Sequence, residues 1–99
     1  MIARVATFEG GDAEAMGRLN NEMLVEGGAA ALPPGVKRVM VLLKDEKSWS
    51  VISFFDSADD AAAAEARFDQ MGDEIPESVR GKRVSLESFE VAFDVETVR

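Results

Sequence analysis

Residues 32–57 read LPPGVKRVMVLLKDEKSWSVISFFDS, and this stretch decides the fold. Pro33 and Pro34 forbid helix continuation, and with Gly35 they aim the chain into a new strand. Val36 to Leu43 and Trp49 to Phe55 are both rich in β-branched and aromatic residues. Only Lys44-Asp45-Glu46-Lys47 and Ser48 stand between them, so the two runs predict an antiparallel hairpin. Ser57 then caps a helix, with Asp60 at the third position as a capping box with a shorter acid.

Upstream, Met1 to Phe8 reads as a strand, punctuated by Gly10-Gly11. Asp12 is the N-cap of a helix that begins near Ala13, and Met16, Leu19 and Met23 form one stripe along it. Gly17 interrupts that helix at a cost of about 1 kcal/mol relative to alanine, and Gly27-Gly28 ends it. Downstream, Ala61, Ala64, Phe68 and Met71 mark the buried stripe of the second helix, with Gly72 as its C-cap. Asp73 to Gly81 is expected to be a loop broken by Pro76, followed by a strand from Lys82 to Phe93. Val84 and Leu86 share one parity in that strand, whereas Phe89, Val91 and Phe93 share the other. A β-bulge near Glu87-Ser88 restores a single apolar face; the alternative is that both faces are buried over part of the strand.

The predicted order is βαββαβ: an α+β, ferredoxin-like fold whose four-stranded antiparallel sheet carries both helices on one face. The other face is the difficulty. Arg4, Val36, Arg38, Val51, Ile52, Phe54 and Phe55 leave both parities partly apolar, more than a sheet with one solvated face needs. The economical solution is a homodimer with the sheets packed face to face.

The 99 residues suit one domain, here taken as 1–99. Apolar residues at 46% and charged residues at 30% make an ordinary globular mixture. The net charge of −8 argues against nucleic acid as a partner. It is localised, because Asp56 to Glu77 holds eight acids and one base. Such an acidic run is the usual solvated face, with a docking surface for a basic partner as the sharper alternative. Histidine, cysteine and tyrosine are absent, which removes a Ser-His-Asp triad, a thiolate zinc site and an imidazole base. Asp56, Asp59 and Asp60 lack the alternating acids and glycine of a calcium loop, so no metal is expected. MIARVATFEG has no apolar core of a signal segment and no membrane span is visible, so a cytoplasmic protein is expected.

The proline-glycine entry Leu32-Pro33-Pro34-Gly35-Val36 and the junction Ile52-Ser53-Phe54-Phe55-Asp56-Ser57 resemble the dimeric α/β-barrel superfamily. Within it, the chain is most similar to antibiotic-biosynthesis monooxygenase-like domains. The resemblance covers nearly the whole chain and implies two ferredoxin-like subunits joined into a barrel. It further implies a small cavity between sheet and helices in each subunit. Members of that family include cofactor-independent quinone-forming monooxygenases and haem-degrading enzymes. The haem branch's histidine has no counterpart here, and Met16 and Met23 read as core filling, so no cofactor is expected. The asparagine that quinone-forming members carry on their first strand is also missing from Ile2 to Phe8.

Four residues are the candidate substrate contacts. Asn20 borders the first helix's apolar stripe, where its amide meets either a ligand or water. Trp49, the only tryptophan, lines a pocket or anchors the sheet. Arg38 and Phe54 complete the set, although Arg4 and Arg38 have salt bridges with Glu87 or Glu90 as their plainer role. Arg80, Lys82 and Arg83 either hold an anion or pair with neighbouring acids. Two functions follow. One is a small dimeric monooxygenase-like or ligand-binding protein for an apolar or aromatic metabolite. The other is a non-catalytic homodimerisation domain with a filled core.

Overall fold

The structure, a computed structural model, describes residues 1–27 and 32–96. The elements run β1 (Ile2–Glu9), α1 (Ala13–Gly27), β2 (Val36–Leu43), β3 (Trp49–Phe55), α2 (Ala58–Glu74), α3 (Glu77–Arg80) and β4 (Lys82–Glu90). The four strands form one sheet in the order β2-β3-β1-β4, every neighbouring pair antiparallel. This is the ferredoxin-like arrangement that the hairpin at residues 36–55 predicts. Both expected N-caps form: the Asp12 carboxylate accepts from the Ala15 N–H at 3.1 Å, and Ser57 Oγ accepts from the Asp60 N–H at 3.2 Å. Replacing Ser57 by alanine leaves that N–H without its partner. The expected loss is about 1 kcal/mol, read as a lower urea midpoint with an unchanged m-value.

Register sorts the side chains onto two faces. Ile2 and Val36 pack with Phe55 against Ala61, Ala64 and Phe68 of α2, which fixes the helix-covered face. Phe55 is fully buried and meets Phe68 edge to face at 6.3 Å between centroids. Cross-strand partners share a face, so Arg4 lies with Ser53, Ala6 with Val51 and Phe8 with Trp49 on this same side. The opposite side carries Ala3, Val5, Ile52, Phe54, Met40, Leu42 and Phe89, with no helix over it among the described residues. Arg38 and Glu87 also belong to that open face, on edge strands at opposite sides of the sheet.

Several sequence expectations are corrected. No bulge falls at Glu87-Ser88, because the β1–β4 register is continuous from Ile2↔Glu90 to Thr7↔Ser85. The irregularity lies one turn of pleat earlier, where Val84 is the extra residue between Arg83 and Ser85. A second irregularity makes Lys37 the extra residue between Val36 and Arg38. Leu86 and Phe89 therefore point to opposite faces, and both remain exposed rather than buried. Gly72 does not end α2; the helix continues to Glu74, and the Ile75 N–H closes it onto the Gly72 carbonyl at 3.2 Å. Pro76 starts the one-turn helix α3 instead of breaking a loop, since a proline loses nothing where the first amide has no helical partner. β4 stops at Glu90, short of the expected Phe93, and the Val91 N–H donates to the Met1 carbonyl at 2.9 Å. α1 runs to Gly27, and Gly28, the other half of the expected helix stop, lies outside the described residues, as does the Met23 side chain.

Candidate functional site

A cavity is left between α1 and the β2–β3 hairpin, and the reason is local. The hairpin tip satisfies the free amides at the start of α1: the Gly11 N–H donates to the Lys47 carbonyl at 3.1 Å and the Ala13 N–H to the Glu46 carbonyl at 2.9 Å. The tip is itself braced by the Lys47 N–H, which donates to the Asp45 carboxylate at 2.9 Å. That bond, with others from Ser48, holds the Asp45 carboxyl below its usual pKa. The helix is thus pinned at one end by backbone bonds, and its next two turns run along the hairpin. Ala13, Met16, Gly17 and Asn20 fall on one helical stripe facing Val41, Leu43 and Trp49. They line a half-open cavity of about 230 Å³.

The floor of this cavity is rigid. Trp49 is almost fully buried and stacks on Phe8, with ring centroids 6.4 Å apart and planes at 27°. Gly11 lies directly against its ring, which no residue with a Cβ could do. Met16 and Asn20 are half-buried on the opposite wall. Gly17 between them has open space where a Cβ would stand. The mouth is the groove between the α1 start and the hairpin tip, since Ala13 and Leu43 line both. Charged side chains ring that groove: Asp12, Glu14, Lys44, Asp45, Glu46 and Lys47. Among the described residues, Asn20 is the one lining side chain that offers hydrogen-bonding oxygen and nitrogen from an amide. No acid or base lines the cavity among them.

Of the four sequence candidates, Asn20 and Trp49 come together in this cavity. Arg38 and Phe54 do not join them; both stand on the open sheet face, Phe54 paired across β1 with Ala3 and Arg38 paired with Phe54. Gly17, Val41 and Leu43 belong to the lining without having been singled out as contacts. The signal for Gly17 was its cost in mid-helix. Val41 and Leu43 share a parity that becomes readable only once Lys37 is placed in a bulge.

The ionic expectations also resolve. Arg4 pairs with Glu65 of α2, not with Glu87 or Glu90, because its parity turns it toward the helices. Its Nη2 donates to Glu65 Oε2 at 3.2 Å, and its Cζ sits 4.3 Å above the Phe68 ring. Ser53, across the strand from Arg4, is fully buried with an Oγ that no partner satisfies. In the basic cluster, Arg83 pairs with Asp69 at 3.5 Å and Arg80 donates to the carbonyls of Ile75 and Gly81. Among the described residues, no three acidic side chains converge as metal ligands, and no helix is long and apolar enough to cross a membrane.

No family model matches the chain, and no curated protein does. Solved structures do. The chain is similar to the haem degrader MhuD of Mycobacterium tuberculosis, solved with two haems in its active site, at 21% identity and a TM-score of 0.60. That match covers 97% of this chain and all of the other. A variant of MhuD with two manganese protoporphyrins per active site matches over 98% of this chain, also at 21% identity and a TM-score of 0.60. A protein from Deinococcus radiodurans, provisionally assigned as an antibiotic biosynthesis monooxygenase, matches over both full lengths at 14% identity and a TM-score of 0.59. These likenesses establish the fold: a ferredoxin-like protomer shared with MhuD and with the Deinococcus protein.

Proposed function

We propose that this protein is a homodimer that binds one compact apolar or aromatic molecule per subunit in the α1–hairpin cavity. The observation that carries the reading is the half-open cavity of about 230 Å³, lined mainly by apolar side chains beside the Asn20 amide, with a buried indole as its floor. A cavity of about 150 Å³ lined by apolar side chains already takes benzene, so one or two rings suit this volume. The Asn20 amide selects for a hydroxyl or carbonyl on the ligand's edge. This is below the roughly 300 Å³ of ordinary drug-sized sites, and it sets the size class of the ligand.

The neighbours' porphyrins do not carry over. Among the described residues that line the cavity, Met16 alone has a side chain able to ligate iron, and about 230 Å³ is less than a tetrapyrrole fills. Cofactor-free oxygenation, the other chemistry of this fold, begins by removing a proton from a phenolic substrate. Among the described residues the lining supplies no base for that step, so the substrate that fits this site is one that arrives already ionised, its oxygen held by the Asn20 amide. Binding is therefore the function the geometry supports best, and oxygenation is an added activity to be tested on whatever binds.

The dimer reading rests on the open face. A two-fold axis along the strands would place the β2 edge over the partner's β4 edge and set the open faces against each other. Rows of Met40, Ile52 and Val5 then pack between the sheets.

A thermal-shift screen with phenols, quinols and small acyl compounds tests the cavity. A ligand at a hundred times its Kd is expected to add about 2.7 kcal/mol of stability. Asn20→Ala should weaken a hit by about tenfold. Gly17→Leu should remove binding while raising stability, because it fills the cavity and replaces a mid-helix glycine. Oxygen uptake is then measured on each hit. No hit in the screen, with Gly17→Leu more stable, would leave a non-catalytic dimerisation domain as the better reading.

A further inference from the structure

The cavity and the charged groove share Ala13 and Leu43, so the two spaces form one path from the surface to Trp49. The groove is the larger, about 730 Å³ against about 230 Å³. Their junction has one fixed wall and one free wall. Ala13 offers only a methyl group, and its N–H is tied to the Glu46 carbonyl at 2.9 Å. Leu43 is the last residue of β2, paired across the hairpin with Trp49, and the next amide, that of Lys44, donates to the Ser48 carbonyl at 3.0 Å. Its backbone is therefore held, yet its side chain stands at the rim, with the residue 67% exposed. Depth follows from the helix. Asn20 lies seven residues beyond Ala13, about 10 Å along α1 at the helical rise. A single ring held by its hydroxyl at the Asn20 amide is shorter than that distance and stops before the junction.

We infer that the ligand is an arylalkyl compound: its ring fills the cavity, a short apolar chain passes between Ala13 and Leu43, and an uncharged hydrogen-bonding end lies in the groove. Leu43 is the residue that selects the chain. The inference rests on the binding reading above and names the class of molecule bound. The junction is apolar on both walls, which suits methylenes and not a polar link. The groove argues for an uncharged end because it carries both signs, Asp12, Glu14, Asp45 and Glu46 beside Lys44 and Lys47. Three of the acids are already engaged: Asp12 with the Ala15 N–H at 3.1 Å, Glu14 with Arg18 at 3.3 Å and Asp45 with the Lys47 N–H at 2.9 Å. A singly charged end meets like charges there as well as opposite ones, whereas an amide donates to one sign and accepts from the other.

The test is calorimetric titration of the full chain with phenol and with 4-hydroxyphenylalkanamides of increasing chain length. The Kd is expected to fall about two- to fourfold per methylene until the amide clears Leu43, and then to level off. Leu43→Ser is expected to cut that factor to below about 1.5-fold per methylene, and Leu43→Met to keep it. Ratios within each protein are compared, so any change in the cavity's own affinity divides out. Leu43 is exposed, and a cooperative thermal melt is expected to show that both variants fold. If phenol binds but the Kd is flat across the series, or the fall survives Leu43→Ser, the inference is overturned and the cavity reading stands. A carboxylate or ammonium end that binds more than about tenfold tighter than the amide would overturn the uncharged end. If neither phenol nor any longer member binds, the cavity reading fails and the inference with it.

Discussion

Gly81→Ala is expected to remove about 2–6 kcal/mol of stability, the sum of backbone strain and overpacking at one joint. Gly81 has φ of 77° and ψ of −171°, a region that side chains with a Cβ essentially do not enter. A Cβ there would also stand 2.6 Å from the Glu9 carbonyl oxygen and 2.8 Å from the Gly11 nitrogen, both backbone atoms that cannot turn aside. Gly11 is the other half of the joint. Its φ is ordinary, but a Cβ would collide with the Trp49 ring and lie 2.6 Å from the Val79 carbonyl oxygen. The consequence is large because four elements meet here. The Gly11 amide holds the hairpin, the Asp12 amide holds Val79 at 2.9 Å, and the Gly81 amide closes α3 onto Glu77 at 2.8 Å. A chain of this length has only about 5–15 kcal/mol in total. Urea denaturation followed by Trp49 fluorescence measures the loss, with Gly72→Ala as a control that has open space at its Cβ. Gly81→Ala within about 1 kcal/mol of the unmodified protein would show that the joint is looser than these contacts require. Gly11→Ala has a second readout, since displacing Trp49 deforms the cavity floor and should weaken any ligand found there.

How much of this was legible in residues 32–57 depends on whether a feature is local. The hairpin, both N-caps and the strand order follow from prolines, cap residues and run lengths, all of which act within a few residues. The two sides of the sheet are not local. In Val51-Ile52-Ser53-Phe54-Phe55, period two assigns Val51, Ser53 and Phe55 to one face and Ile52 and Phe54 to the other. Both rows are apolar enough to be the core. Only packing on Ala61, Ala64 and Phe68 decides for Phe55, and Phe54 goes to the open face with Arg38. Bulges hide in the same way. Lys37 and Val84 each shift parity by one residue, and nothing in their own chemistry marks them. Asn20 and Trp49 were readable as candidates because each departs from its surroundings: an amide beside an apolar stripe, and the largest side chain at a strand start. That they face each other across a cavity comes from the hairpin tip holding the end of α1, a contact between residues over thirty positions apart.

Breaking the Arg4–Glu65 pair singly is expected to cost more than removing it whole. Arg4 sits in mid-strand on the helix-covered face with its side chain 4% exposed, while Glu65 is 37% exposed. Deleting Glu65 leaves a guanidinium under α2 with only the Phe68 ring above it. Loss of one partner of a fully buried pair costs about 3–5 kcal/mol. Water reaches the Glu65 side, which screens the pair and lowers the expectation for Glu65→Ala to about 2–3 kcal/mol. Arg4→Met removes the charge but strands a carboxylate that can turn to solvent, so its cost should be smaller, about 1–2 kcal/mol. The double variant Arg4→Met/Glu65→Leu replaces both charges with side chains that pack on Phe55 and Phe68. It should fall within about 1 kcal/mol of the unmodified protein, because desolvation no longer opposes the Coulomb gain. The coupling read from the four chemical-denaturation curves is the decisive quantity. Additive single effects would mean that Arg4 and Glu65 act independently. Strong coupling that persists from low to high salt is the signature of a pair shielded by the helix, since an exposed pair would lose most of it to screening.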